Sequence, residues 1–142
     1  MTYATLQLLT ESYGEQLLVE LTDRAGVRTG QIDADVVDRK LADTDALIDG
    51  YLAGRYVLPL ATTPPLLVDI ALQIAIYKLH TYTANDKITA DYKDAKASLD
   101  KIASGTIRLN VAGVEPTSSG AAGVVTTDRE RDFTPENMRG FI

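Results

Sequence analysis

The sequence predicts a mainly α-helical domain, in which a small helical bundle surrounds one buried central helix. Three long segments repeat apolar residues at helical spacing, and one of them, from about Pro65 to Tyr82, is apolar on most sides. The chain has 142 residues, of which 45% are hydrophobic, so one compact domain with its own core is expected. A short strand and an extended C-terminal tail complete the predicted fold.

The first elements are predicted to be short. Thr5 can cap a first helical piece, which Gly14 interrupts. Gln16 to Leu21 is predicted to form a second piece, and the turn-rich segment Thr22 to Gly30 follows it. These residues therefore predict two short helices ahead of the main bundle.

The first long helix is predicted to start at Asp33, because its carboxylate can accept hydrogen bonds from the free N–H groups of the first turn. Gly54 and Pro59 predict its end. One face repeats apolar residues at helical spacing: Val37, Leu41, Ile48 and Leu52. The opposite face carries aspartates that we expect to lie in solvent: Asp38, Asp43, Asp45 and Asp49.

The central and third helices follow. Thr62 and Thr63 predict a threonine cap, with prolines in the first turn of the central helix. The third helix is predicted from Asp86 to about Ser104, with a turn and cap at Asn85-Asp86, and is ended by Gly105. Its apolar face is expected to contain Ile88, Tyr92, Ala95, Leu99 and Ile102.

The composition changes after Gly105. Thr106 to Val111 alternates apolar and polar residues, which predicts a short strand. The chain is accordingly divided into a helical core (1–110), a flexible linker or extended segment (111–127) and a C-terminal docking tail (128–142). The tail is too short to build a core, so its apolar side chains need another surface to cover them.

The chain offers few residues for catalysis or metal binding. It has no cysteine, and its one histidine, His80, has no nucleophile motif near it, so we expect His80 at a helix surface or a subunit contact. The aspartates lack the loop spacing of a calcium site, and no phosphate-binding glycine motif occurs. We predict no catalytic, cofactor or metal site and no enzyme activity; a small metal-dependent enzyme is the alternative of a different class.

The formal net charge is −6, and no basic patch is visible along the chain. Nucleic-acid binding usually depends on such a patch, so sequence-specific binding of DNA is not expected. Acidity would suit a protein that DNA passes without sticking, because like charges repel. The simpler alternative is that the acidity aids solubility. No segment is apolar and long enough to span a membrane, and no secretory signal is predicted.

The middle of the chain resembles the Mu-like phage neck proteins. The resemblance starts with Tyr3-Ala4-Thr5 and Leu21-Thr22-Asp23, and its most specific part combines Ile48-Asp49-Gly50-Tyr51-Leu52, Arg55-Tyr56, Leu58-Pro59-Leu60 and Pro64-Pro65. The C-terminal residues Phe133-Thr134 and Met138-Arg139-Gly140-Phe141 also resemble that family's ending. The similarity covers residues 1–110 and about the last ten.

This resemblance implies a head–tail adaptor, or head-completion protein, which is made in the host cytoplasm and joins the virion neck. Such proteins form a ring, commonly twelve-fold, under the portal protein and let DNA pass without reading its sequence. Expected partners are the portal, neighbouring copies, and a stopper or tail-terminator protein. A stopper or tail-completion protein is the alternative within the neck.

Two sets of residues are candidates for contacts in such an assembly. We expect the tail to dock on the portal or on a neighbouring subunit, and packing on its own subunit is the alternative. The interface candidates are Phe133, Met138, Arg139, Phe141, Ile142, Arg55 and Tyr56. Arg55 and Tyr56 could instead fix the turn in which they lie. The acidic candidates for a surface facing the DNA channel are Asp38, Asp45 and Asp49.

Overall fold

The computed structural model describes residues 1–111, which form five helices. The mainly α fold class is therefore confirmed for this part of the chain. Apart from Val111, the predicted linker (111–127) and tail (128–142) lie outside the described residues, so the domain boundaries stay predictions. The helices are α1 Leu6–Tyr13, α2 Glu15–Thr22, α3 Ala34–Leu52, α4 Pro65–Leu79 and α5 Asp86–Ser104.

Helix α4 lies at the centre of the core and contacts α1, α3 and α5. A helix that is covered on several sides needs apolar residues around most of its circumference, and α4 has them. Its buried residues are Leu67, Ile70, Ala71, Leu72, Ile74, Ala75, Ile76 and Leu79. The predicted central helix is thus present, although it ends at Leu79 rather than near Tyr82.

Helices α3 and α5 each bury one face, as their spacing predicts. The buried residues of α3 include Val37, Leu41, Ile48 and Leu52, and those of α5 are Ile88, Ala95, Leu99 and Ile102. Removing a side chain of this size from water stabilises the fold by about 1.5–3 kcal/mol. The shorter helices contribute Leu9 and Leu18 to the same core.

Side-chain caps start three of the helices. Thr5 Oγ1 accepts from Leu8 N at 3.3 Å, and Asp33 Oδ1 accepts from Asp35 N at 3.0 Å. Asn85 Oδ1 accepts from the N–H of Ile88 at 2.8 Å, at the start of α5. The threonine cap predicted for α4 is absent: the cap position is Pro64, without a side-chain hydrogen bond. Because Pro65 has no N–H, the first turn of α4 has one free donor fewer to satisfy.

The strand predicted for Thr106–Val111 is not formed. Gly105 ends α5 in the left-handed region, at φ 83°. After it, Ile107 N donates to Lys101 O and Leu109 N donates to the Tyr56 hydroxyl, each at 3.0 Å. The described residues contain no strand with which this segment could pair. The apolar alternation reflects burial of Leu109 and half-burial of Ile107 against the helices.

Candidate assembly surfaces

The three acidic channel candidates on α3 lie in different surroundings. Asp38 is exposed, whereas Asp45 and Asp49 are half-buried. Tyr3 N donates to Asp45 Oδ1 at 3.0 Å, and the Tyr3 hydroxyl donates to Asp49 Oδ1 at 2.5 Å. The expectation that Asp45 and Asp49 lie free in solvent is therefore wrong. The role of all three residues at a DNA channel stays a prediction.

The contact between Tyr3 and α3 also changes the acidity of its members. Burial raises the pKa of Asp45, although the hydrogen bond from Tyr3 N acts in the opposite direction. Burial, followed by the hydrogen bond to Asp49, raises the pKa of Tyr3. Tyr3 is 2% exposed, so this pair of hydrogen bonds anchors the N-terminal residues on α3.

Arg55 and Tyr56 make contacts within the chain itself. Tyr56 is 3% exposed, and its hydroxyl accepts from Leu109 N. The Arg55 guanidinium lies across Gly105, because a Cβ placed on Gly105 would be 2.6 Å from Arg55 Cζ. These contacts agree with the view that the two residues fix the end of α3 and the segment after α5. Their role in a subunit interface stays a prediction, and Tyr56 has little free surface for it.

Exposed apolar side chains occur in the connections on both sides of α4. Val57, which precedes α4, is 70% exposed, and Leu66 in its first turn is 39% exposed. Tyr82, which follows α4, is 90% exposed. Single exposed apolar side chains are normal on a protein surface, so they do not by themselves mark a binding site. The tail candidates Phe133, Met138, Arg139, Phe141 and Ile142 lie outside the described residues.

An aromatic cluster lies where α4 meets α5. The rings of Tyr77 and Tyr92 are stacked, with centroids 3.9 Å apart and planes 6° apart. Next to it, a cavity of about 250 Å³ is lined by Tyr77, His80 and Tyr82, among others. His80 Nδ1 is 2.7 Å from Ile76 O, so the imidazole is tied to the end of α4. His80 is half-buried there, at the helix terminus.

A groove of about 440 Å³ gathers basic side chains that are distant in the sequence. Its lining includes Arg24, Arg39, Lys40 and Asp43. Lys78 lies beside it and donates to Asp43 O at 2.9 Å. Burial, which is only partly offset by Asp43, lowers the pKa of Lys78. The order of residues gives no sign of this groove, because its members come from a loop, α3 and α4 and are not clustered along the chain.

Two negative findings apply to the described range. Residues 1–111 hold no group of three or more histidine, aspartate or glutamate side chains that could bind a metal ion. No helix in that range is long and apolar enough to cross a membrane.

Comparison with known proteins places the chain in a family. Residues 3–127 match the family model described as bacteriophage Mu, Gp36. The chain belongs to the bacteriophage Mu Gp36 family. It is 33% identical over 142 residues to gene product J of Escherichia phage Mu, and the alignment covers 100% of both chains. It is also 31% identical over 140 residues to the Mu-like prophage FluMu protein gp36 of Haemophilus influenzae, covering 99% of this chain and 98% of the relative.

The family confirms part of the resemblance found in the sequence. The protein is a Mu-like phage protein, as the IDGYL, RY and LPL segments indicate.

Proposed function

We propose that this Gp36-family protein is a structural subunit of the phage neck, a head–tail adaptor between portal and tail. The observation that carries the proposal is its full-length similarity to a phage Mu protein and a Mu-like prophage protein. The sequence segments that resemble neck proteins lie in the same helical core. In this role the protein acts by assembly and has no enzyme activity and no cofactor.

The properties of the described surface support an assembly role. The grooves on residues 1–111 are open and partly polar. Side chains that could serve in catalysis are tied to their own fold: His80 to Ile76 O, and Asp45 and Asp49 to Tyr3.

The proposed assembly is a ring, with twelve copies as the expected number. In a ring, one surface of each subunit meets a different surface of its neighbour. The net charge of −6 would keep DNA from adhering as it passes through. Asp38 is the best candidate for the channel wall, because it is exposed while Asp45 and Asp49 hold Tyr3.

The tail is proposed to make the contact with the portal or with a neighbouring subunit. Its apolar residues Phe133, Met138, Phe141 and Ile142, with Arg139 between them, form the end of the chain. A chain that ends after residue 132 should keep the circular dichroism spectrum of the helical core and lose its attachment to the portal. If the truncated chain loses its helical fold, the tail belongs to its own subunit's core instead.

The direct test is the mass of the full-length protein, measured by light scattering alone and mixed with the portal protein of the same phage. A ring, or a monomer that assembles on the portal, supports the adaptor. Binding to a tail-terminator without binding to the portal would move the protein to the stopper position. A monomer that binds neither partner refutes the neck assignment.

A further inference from the structure

We propose that the basic groove of one subunit binds the acidic corner of the next copy, and that this contact joins neighbouring subunits head to tail. The basic groove is the surface formed by Arg24, Arg39, Lys40 and Lys78. The acidic corner is the surface around the Gly14 turn that carries Glu11, Glu15 and Asp69. This inference rests on the proposed function, because it names the subunit interface of the proposed ring.

The positive charge of the groove is largely uncompensated. Arg24 donates to the carbonyl oxygens of Leu21 and Leu79, and Arg39 Nε donates to Asp35 O at 3.1 Å. Backbone carbonyls hold these side chains in place without cancelling their charge. Among the described residues, the only carboxylate in an ion pair with the groove is Asp43, 3.6 Å from Lys40 Nζ. A second, negatively charged surface would therefore be attracted to it.

The acidic corner has the opposite character. Residues 1–23 contain no lysine or arginine. Glu11 and Glu15 flank the exposed Gly14, and neither forms an ion pair with a described residue. Helix α1, which carries Glu11, contacts α4, which carries the exposed Asp69. In agreement with this contact, burial and then the charges of Asp91, which is paired with Lys87, and Asp69 raise the pKa of Tyr13. The corner thus presents carboxylates from two parts of the chain.

Asp69 and Lys78 lie on opposite faces of the central helix. Asp69, beside the corner, and Lys78, beside the groove, are nine positions apart on α4. At about 1.5 Å and 100° per residue, this separation is about 13 Å along the axis and half a turn around it. One subunit therefore cannot pair its own corner with its own groove. Two different, complementary surfaces on one subunit produce a head-to-tail contact between copies, which is the type that closes into rings.

A second copy fits the groove better than DNA does. The chain is acidic overall, and the exposed carboxylates Asp35 and Asp38 lie on α3, the helix that forms one wall of the groove. A DNA duplex carries phosphates along its whole length, so it would meet these carboxylates as well as the groove. A corner that brings only a few carboxylates can approach the groove without that repulsion.

Charge reversal on each surface tests the contact. One variant carries Arg39→Glu and Lys40→Glu, and the other carries Glu11→Lys and Glu15→Lys. Each variant alone presents two surfaces of like charge, so we expect the dissociation constant between copies to rise about tenfold or more. In a mixture, the acidic groove of the first variant meets the basic corner of the second, and the basic groove of the second meets the acidic corner of the first. The mixture should therefore assemble again, with the two variants alternating. Assembly is followed by light scattering on the full-length chain, alone and on portal protein, at low and high salt.

Matched controls change the charge equally at other exposed sites. Lys93→Glu with Lys101→Glu is the control for the groove variant, and Asp94→Lys with Asp100→Lys is the control for the corner variant. Both controls should assemble like the wild type, and circular dichroism checks that every variant is folded.

The outcomes separate the contact from the neck assignment. Loss of assembly in each variant and its return in the mixture support the proposed interface. Rings that form normally in both variants overturn the interface but leave the adaptor role intact. Equal losses in the controls, or a mixture that stays dissociated, also overturn it. A groove variant that assembles normally but loses binding to a DNA duplex would assign the groove to phosphate. A wild-type chain that associates with neither itself nor the portal refutes both proposals.

Discussion

Replacing Gly105 by alanine tests how closely Arg55 packs against the end of α5. Gly105 has a φ of 83°, and its new Cβ would lie 2.6 Å from Arg55 Cζ and 2.7 Å from Arg55 Nη1. The left-handed backbone costs a non-glycine residue about 1–2 kcal/mol. The guanidinium must also move by about 1 Å, and because it is the end of a flexible side chain we expect this to cost about 1 kcal/mol, the low end of overpacking costs. We therefore expect a total loss of about 2–3 kcal/mol in the free energy of unfolding.

Gly30 supplies the matched control for the backbone term. Its φ is 70°, and a Cβ there would meet no atom within 4 Å. Gly30→Ala should therefore lose only the backbone cost, about 1–2 kcal/mol. Urea unfolding, followed by far-ultraviolet circular dichroism, measures both losses on the same scale. The excess loss of Gly105→Ala over Gly30→Ala is the cost of displacing Arg55.

A double-mutant cycle identifies Arg55 as the source of that excess. In an Arg55→Ala background the new Cβ has room, so Gly105→Ala should cost about as much as Gly30→Ala. The reasoning is refuted if Gly105→Ala and Gly30→Ala cost the same in the wild type. It is equally refuted if the excess persists without the Arg55 side chain.

Three further predictions concern single hydrogen bonds and one pKa. Tyr56→Phe leaves the buried Leu109 N–H without its acceptor and should cost about 1–3 kcal/mol in urea unfolding; an unchanged midpoint would contradict this. Asn85→Ala removes the cap on the Ile88 N–H and should cost about 1 kcal/mol, whereas Asn85→Asp should cost little; equal losses would argue against the cap. In the folded state the pKa of Asp45 is raised above its ordinary value of 3.8. Ionisation of Asp45 therefore destabilises the fold as the pH rises from 3.8 through the raised pKa. Asp45→Asn should therefore gain stability relative to the wild type across that rise, and a difference that does not change with pH would refute the assignment.

Much of the fold could be predicted from local features of the sequence. The caps at Thr5, Asp33 and Asn85 and the stop at Gly105 act within a few residues of the backbone groups that they satisfy, so their effect is readable without a tertiary structure. Helical spacing likewise identifies the buried faces of α3 and α5. The start of α4 was less predictable, because prolines and threonines compete for the same positions there.

The candidate surfaces were predicted less well. Alternation in Thr106–Val111 indicates a strand, but a strand needs a neighbouring strand with free N–H and C=O groups. In the described residues, the N–H groups of this segment donate to the Tyr56 hydroxyl and to Lys101 O instead. The aspartates of α3 were expected in solvent, because nothing near them in the sequence reveals that Tyr3 returns to cover Asp45 and Asp49.

The order of the residues alone settles the helical class, the helix ends that have caps, the central position of α4 and the family. These features depend on interactions over a few residues or on the pattern of the whole sequence. The pairing of Tyr3 with α3, the packing of Arg55 over Gly105 and the basic groove depend on the folded chain. The first two contacts join residues that are about forty or more positions apart. The groove combines side chains from three separate elements. Such contacts form only when the helices pack, because the distance between these groups is set by the core.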